Sequence, residues 1–154
     1  MKATCGLKFN LIVGGKGDKY ETIKEEIKNC ELSDCVDLKG WIMGDEKLNT
    51  IARANIFVLP TYFEGYPNAL LEAMACGCFC IASDIPANRE WITDGENGLL
   101  FNMNDVNDLA EKIISISKNK IGKYRIGKKQ WIPRTALHEE SVYGKIKQYE
   151  KIEV

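Results

Sequence analysis

The sequence has no stretch approaching the roughly 20 consecutive apolar residues that a membrane-spanning helix needs. At the N-terminus one basic residue, Lys2, precedes only short apolar stretches without a small-residue cleavage site, so a secretory signal is not expected. Histidine occurs once, at His138, and the six cysteines (Cys5, Cys30, Cys35, Cys76, Cys78 and Cys80) lack both paired C-x-x-C spacing and histidine partners. Zinc is therefore not expected, and reduced, core-filling thiols suited to a cytoplasmic setting are. No Asp-x-Asp motif, internal repeat, low-complexity run or long linker occurs. Large net charge is also missing: the formal value is −1, which favours neither a nucleic-acid partner nor a disordered tail.

The charge that is present is unevenly placed. From Lys112 to His138 the chain carries eight Lys or Arg residues and no acidic one. A solvated helical face accounts for such a run. A patch meeting anionic lipid head groups, which would hold the protein peripherally at the inner face of a membrane, or a polyanionic acceptor is the sharper alternative.

At 154 residues the chain fits one domain, residues 1–154. Short apolar runs at Lys8–Val13, Val36–Leu38, Ile56–Leu59, Phe79–Ala82 and Gly98–Phe101 are bounded by Gly, Pro, Asp or Asn and read as strands buried on both faces. They alternate with helical periodicity at Tyr20–Asn29, Asp45–Ala54, Pro67 to Gly77, Ala87–Ile92, Val106–Lys118 and Glu139–Lys151. This βαβα order predicts an α/β fold, a Rossmann-like, doubly wound parallel sheet. Gly14, Gly15 and Gly17 follow the first strand, but the glycine that G-x-G-x-x-G requires next would fall at Tyr20, so a dinucleotide fingerprint fails and a tight turn is expected. His138 reads as a surface residue, and Trp131 as packing for the C-terminal helices.

The informative stretch is Phe57–Gly98. A strand ends at Pro60, a loop carrying Glu64 and Gly65 follows, and a helix begins near Pro67, whose missing N–H costs nothing in a first turn. In an open α/β sheet ligands bind at the carboxyl ends of the strands. A helix N-terminus there offers unpaired backbone donors to a phosphate, and Gly65 lets a ligand approach the backbone. Asn68, Glu72 and Ala75 or Cys76 share one helical face, and Leu70, Leu71 and Met74 can face the sheet. A carboxylate at Glu72 is suited to accept hydrogen bonds from two neighbouring hydroxyls, as on a ribose.

Glu64 and Glu72, eight residues apart inside P-T-x-x-E-G-x-P-N-A-L-L-E-A-M-A-C-G, resemble the signature of the family 4 retaining glycosyltransferases of GT-B fold. The likeness extends to A-S-D (Ala82–Asp84), Glu90, D-G-E-N-G (Asp94–Gly98), L-I-V-G-G-x-G and L-K-G-W. It implies the C-terminal, donor-binding half of such an enzyme. Glu64 would then contact the transferred sugar as the catalytic residue, and Glu72 the ribose hydroxyls. The Gly65, Tyr66, Pro67 and Asn68 segment would hold the diphosphate, Gly15 would lie at the ligand edge, and Trp41 and Ile42 would flank the base. The implied donor is a UDP- or GDP-sugar, with no cofactor and no metal, because helix-terminus amides and cationic side chains stabilise the departing diphosphate. Retaining transfer of a hexosyl group to a glycan or lipid-linked acceptor, as in polysaccharide biosynthesis, is the activity implied.

Complete members of that family place a G-R-x-x-x-x-K-G segment and an N-terminal acceptor domain before the L-I-V-G-G strand, and neither is found here. The expectation is a chain that is catalytically incomplete alone. A nucleotide-sugar-binding subunit or non-catalytic module completing a two-chain enzyme is the alternative, and a sugar-nucleotide epimerase of the same fold ranks below both.

Overall fold

The structure, a computed structural model, describes residues 8–118. His138, Trp131, the helix expected at Glu139–Lys151 and most of the basic run lie outside the described residues. The chain divides between residues 48 and 49 into two compact units.

In the first unit β1 (Leu11–Gly14) and β2 (Val36–Gly40) pair in parallel, Leu11 opposite Val36, with α1 (Tyr20–Asn29) between them in sequence. The ladder begins at Leu11, not at Lys8, and the expected burial on both faces fails: Leu11 and Ile12 are 44% and 46% exposed. Among the described residues β1 pairs only with β2, and α1 buries none of its residues, so this strand has one neighbour and little cover. Tyr20 ties the helix to the sheet by donating its hydroxyl to Leu38 O at 3.0 Å. The helix closes as Leu32 N–H reaches Ile27 O and Glu31 N–H reaches Lys28 O, the Schellman pattern. Glu31 occupies the left-handed position, φ 54°, where glycine is usual.

The second unit is a β3 (Ile56–Leu59), β4 (Phe79–Ser83), β5 (Leu99–Phe101) sheet, all parallel, with β4 in the middle. The crossovers are α3 (Asn68–Ala75) and the short α4 (Pro86–Arg89), and α5 (Val106–Lys118) follows β5. The helix preceding β3, α2 (Gly44–Arg53), spans the division between the units. Alternation along the strands sorts the apolar side chains into two layers. Phe57, Leu59, Cys80, Ala82 and Leu100 pack with Leu70, Ala73 and Met74 of α3, and with Ile51 and Ile92. Ile56, Val58, Phe79, Ile81, Leu99 and Phe101 pack with Leu109, Ile113 and Ile116 of α5. Every residue of β4 is buried because this strand has a neighbour on each edge and a helix over each face. That is the doubly wound arrangement, and it explains why β4 reads as an unbroken apolar run.

Cys78 and Cys80 fill the α3 layer as thiols, and burial, reinforced by Cys78 and Cys76, pushes the Cys80 thiol well above its ordinary value. α5 is capped by Asp105, whose carboxylate accepts from Asn107 and Asp108 N–H at 2.9 and 3.2 Å. Lys112 and the Asn102 N–H hold the Asp108 carboxyl below the usual range.

The D-G-E-N-G segment folds the chain into β5, and Asn97 fastens it by accepting from Thr93 N–H and donating to Trp91 O. At Gly98 an added Cβ would lie 2.8 Å from the Cys80 carbonyl oxygen and 3.2 Å from two carbons of Ile92. Backbone of the central strand cannot yield as a side-chain tip can. Gly98→Ala is therefore expected to destabilise the protein by about 1–3 kcal/mol, read as a lower midpoint in urea. A midpoint equal to the parent's would show that the segment relaxes freely.

Candidate functional site

The carboxyl ends of β3, β4 and β5 lie on one edge of the second sheet, because all three strands run the same way. From β3 the chain leaves through Pro60 into the loop carrying Glu64, then enters α3. Pro67 is the N-cap, with φ −81° and ψ 65°, not the first helical residue as expected. Its ψ is not helical, and the helix starts at Asn68. No side chain caps this end. Leu71 N–H makes the first helical bond, to Pro67 O, so helical geometry leaves the Ala69 and Leu70 N–H groups without an acceptor inside the helix. Pro67 has no N–H, and that of Asn68 donates to Tyr66 O at 2.9 Å. Leu70 is fully buried, so Gly65, Tyr66 and Ala69 supply the donors that this turn can offer an anion.

Glu64 is partly exposed, three residues before the N-cap. At Gly65 an added Cβ would meet nothing within 4 Å, so packing inside the chain does not require glycine there. Glu72 is half-buried one turn beyond Asn68, and one of its carboxylate oxygens is shielded from solvent. Leu70, Ala73 and Met74 of α3 are buried against the sheet, and Leu71, expected beside them, is half-buried and packs against the same layer. At the other end Gly77, φ 76°, donates to Met74 O while Cys78 N–H donates to Ala73 O, again the Schellman pattern, and the helix stops where its glycine predicts.

Sequence reasoning quoted A-S-D and the residues after it as part of the motif but gave no role to Ser83 or Asn88. Both are fully buried, and both bond to the loop or to each other. Ser83 Oγ–H donates to Thr61 O at 2.6 Å, while Thr61 N–H and Asn88 Nδ2–H reach Ser83 Oγ, each at 3.3 Å. Buried polar residues in an apolar sheet are the signal that could have found them, since each needs a partner. Beside them Asp84 takes a two-pronged bond from Arg89, at 2.6 and 2.9 Å, which holds the Asp84 carboxyl below its usual range.

A cleft of about 380 Å³ opens at the same sheet edge, lined by Tyr62, Asp84, Ile85, Asn102, Met103 and Asn104. None of the expected donor residues lines it. The site rests on the α3 N-terminus, not on the cleft.

In the first unit Gly15 follows the carboxyl end of β1 and donates its N–H to Gly40 O at 2.6 Å. Its φ of 131° is one that side chains rarely adopt, in keeping with the tight turn. After β2 come Trp41, 70% exposed, and Ile42, whose side chain would sit 3.2 Å from a Cβ at Gly14. Gly15, Trp41 and Ile42 thus belong to one unit, and Glu64 to Asn68 and Glu72 to the other.

The sequence profile of "Glycosyl transferases group 1" matches residues 2–131. An uncharacterized glycosyltransferase of Methanocaldococcus jannaschii is 30% identical over 145 residues, 94% of this chain and 41% of that protein. The poly(glycerol-phosphate) alpha-glucosyltransferase of Bacillus subtilis is 31% identical over 111 residues, 71% of this chain and 16% of that enzyme. Among solved structures, Anabaena HepE in complex with UDP and glucose superposes with a TM-score of 0.70 at 20% identity, over 92% of this chain and 39% of that one. The chain thus spans about two fifths or less of each protein it matches here.

Proposed function

The chain belongs to the group 1 glycosyl transferases, and on that premise we propose that it binds the nucleoside diphosphate sugar for retaining, metal-independent hexosyl transfer to a glycan or lipid-linked acceptor. The observation that carries this reading is the α3 N-terminus: it lacks a side-chain cap, follows the carboxyl end of β3, and has Glu64 just before it and Glu72 one turn inside it. Backbone donors at a helix start suit a diphosphate. Glu72 accepts from the ribose hydroxyls, and Glu64 lies beside the sugar. As the diphosphate departs, the amides of Gly65, Tyr66 and Ala69 stabilise its growing negative charge, a role a divalent cation fills elsewhere. Either UDP or GDP suits this chemistry. The glucosyltransferase of B. subtilis and the UDP and glucose held by HepE agree with it.

Acceptor binding and transfer need more than these 154 residues supply. Titrating the chain with UDP, GDP, ADP and their glucose esters is expected to give saturable binding of one nucleotide series, unchanged by EDTA, with no sugar released to an added acceptor. Absence of binding by all six compounds would remove the donor reading. Binding abolished by EDTA would remove metal independence, and robust transfer would show that the chain needs no further part.

A further inference from the structure

We infer that residues 83–91 are a clamp holding the Glu64 loop at both ends, which makes Ser83, Asn88 and Trp91 positioning residues for the donor sugar. The role assigned to Glu64 rests on the reading above; the clamp itself rests on geometry alone.

At the first end Ser83 Oγ donates to Thr61 O at 2.6 Å and accepts from Thr61 N–H and Asn88 Nδ2–H, each at 3.3 Å. A hydroxyl has one donor and two acceptor sites, so this one is used to capacity. Asn88 also donates to Ser83 O at 2.9 Å. Ser83 and Asn88 are fully buried, where such bonds are hardest to replace with water. The chain of bonds continues outward, for Thr61 Oγ1 donates to Phe63 O at 2.8 Å and accepts from Phe63 N–H at 3.3 Å. It stops one residue short of Glu64.

At the second end the Tyr66 ring meets Trp91 edge to face, centroids 5.9 Å apart and planes at 83°. Trp91 in turn packs against the α3 core layer. Both anchors come from one segment. Trp91 and Ile92 N–H donate to Asn88 O, and Arg89 closes the segment on Asp84, so Asn88 and Trp91 are fixed together. Between the anchors Phe63 is 84% exposed and Gly65 has open space around it. Glu64, itself partly buried, therefore sits on a short span tethered on either side, which sets where its carboxylate can be.

The test uses Ser83→Ala, which removes the hydroxyl that bonds both the carbonyl and the N–H of Thr61, with Ser83→Thr, which keeps that hydroxyl, as its rescue, and Trp91→Leu with Trp91→Phe as its rescue. Amide exchange over residues 61–66 is read in each against exchange in β4 and α5, which reports global stability. Ser83→Ala and Trp91→Leu are expected to speed loop exchange about tenfold or more while β4 and α5 stay near the parent, and the rescue variants to restore it. In parallel, titration with UDP and UDP-glucose, or the GDP pair if the parent prefers it, is expected to show an about threefold or larger loss of preference for the sugar ester, with the free diphosphate little changed. Unchanged loop exchange in both variants overturns the clamp. Faster exchange with preference retained, where Glu64→Ala loses it, overturns the positioning role. If Glu64→Ala itself keeps the preference, the sugar role of Glu64 is what fails, and exchange alone decides the clamp.

Discussion

Replacing Glu72 with alanine is expected to weaken nucleoside diphosphate binding by roughly ten- to a hundredfold while leaving the chain folded. A hydrogen bond to a charged group contributes about 1.5–3 kcal/mol, and a tenfold change in affinity is about 1.4 kcal/mol. Glu72 is half-buried and is not among the side chains of the apolar layer under α3, so that layer does not depend on it. Glu72→Gln keeps one acceptor oxygen without its charge and should lose less. Glu64→Ala should bind the free diphosphate almost as the parent does and lose affinity only for the sugar ester, because its proposed partner is the sugar. Calorimetric titration of the three variants with both compounds separates the roles. Parent-like diphosphate binding by Glu72→Ala would exclude the ribose contact.

Two residues earlier, on the opposite face, Leu70→Ala should do the reverse. Leu70 is fully buried in the layer formed with Ala73, Met74, Cys80, Ala82 and Ile92. Truncating such a leucine removes its transfer free energy and leaves a cavity that the surroundings fill only in part, at about 2–5 kcal/mol. Domains of this size are stable by about 5–15 kcal/mol, so the loss could take a large share of the whole. The urea midpoint should fall markedly with the slope of the transition unchanged. A shift too small to resolve would mean that α3 is not held by this contact. Leu70 and Glu72 thus divide α3 into a face that keeps the fold and a face proposed to meet the donor.

Much of this was legible in the chain. β3 and the helices at Tyr20–Asn29 and Val106–Lys118 have the bounds that pattern predicts, because buried parallel strands and amphipathic helices write themselves as apolar runs and four-residue periods. Gly77 marked the end of α3 for a reason visible in its φ. Pro67 was displaced by one position, since proline fixes φ but leaves ψ open, and ψ decides whether a residue is cap or helix. α4 is shorter than the run from Ala87 to Ile92 suggested, because Asn97 draws the Trp91 carbonyl and the Thr93 N–H into the turn before β5. Burial of β1 was misjudged because an apolar strand does not say how many neighbours it has. Glu64 and Glu72 are proposed as site residues on spacing and motif. Ser83 and Asn88 could not be given roles, since their bonds join residues distant in sequence and no local pattern reveals a partner.

The all-parallel order of β3, β4 and β5 also bears on how the second unit forms. Ile56 pairs with Phe79, and Ile81 with Leu99, so neither ladder can be made by a tight hairpin. Each crossover must close before any pairing rewards it, and the entropy of that closure comes first. β4 takes part in both ladders, so in a chain in which it has not yet docked β3 and β5, edge strands of this sheet in any case, lack a partner on either side. Assembly should therefore be slow for a unit of this size and concerted around β4, with Phe79 to Ser83 the segment most prone, until then, to pair with the same segment of another chain.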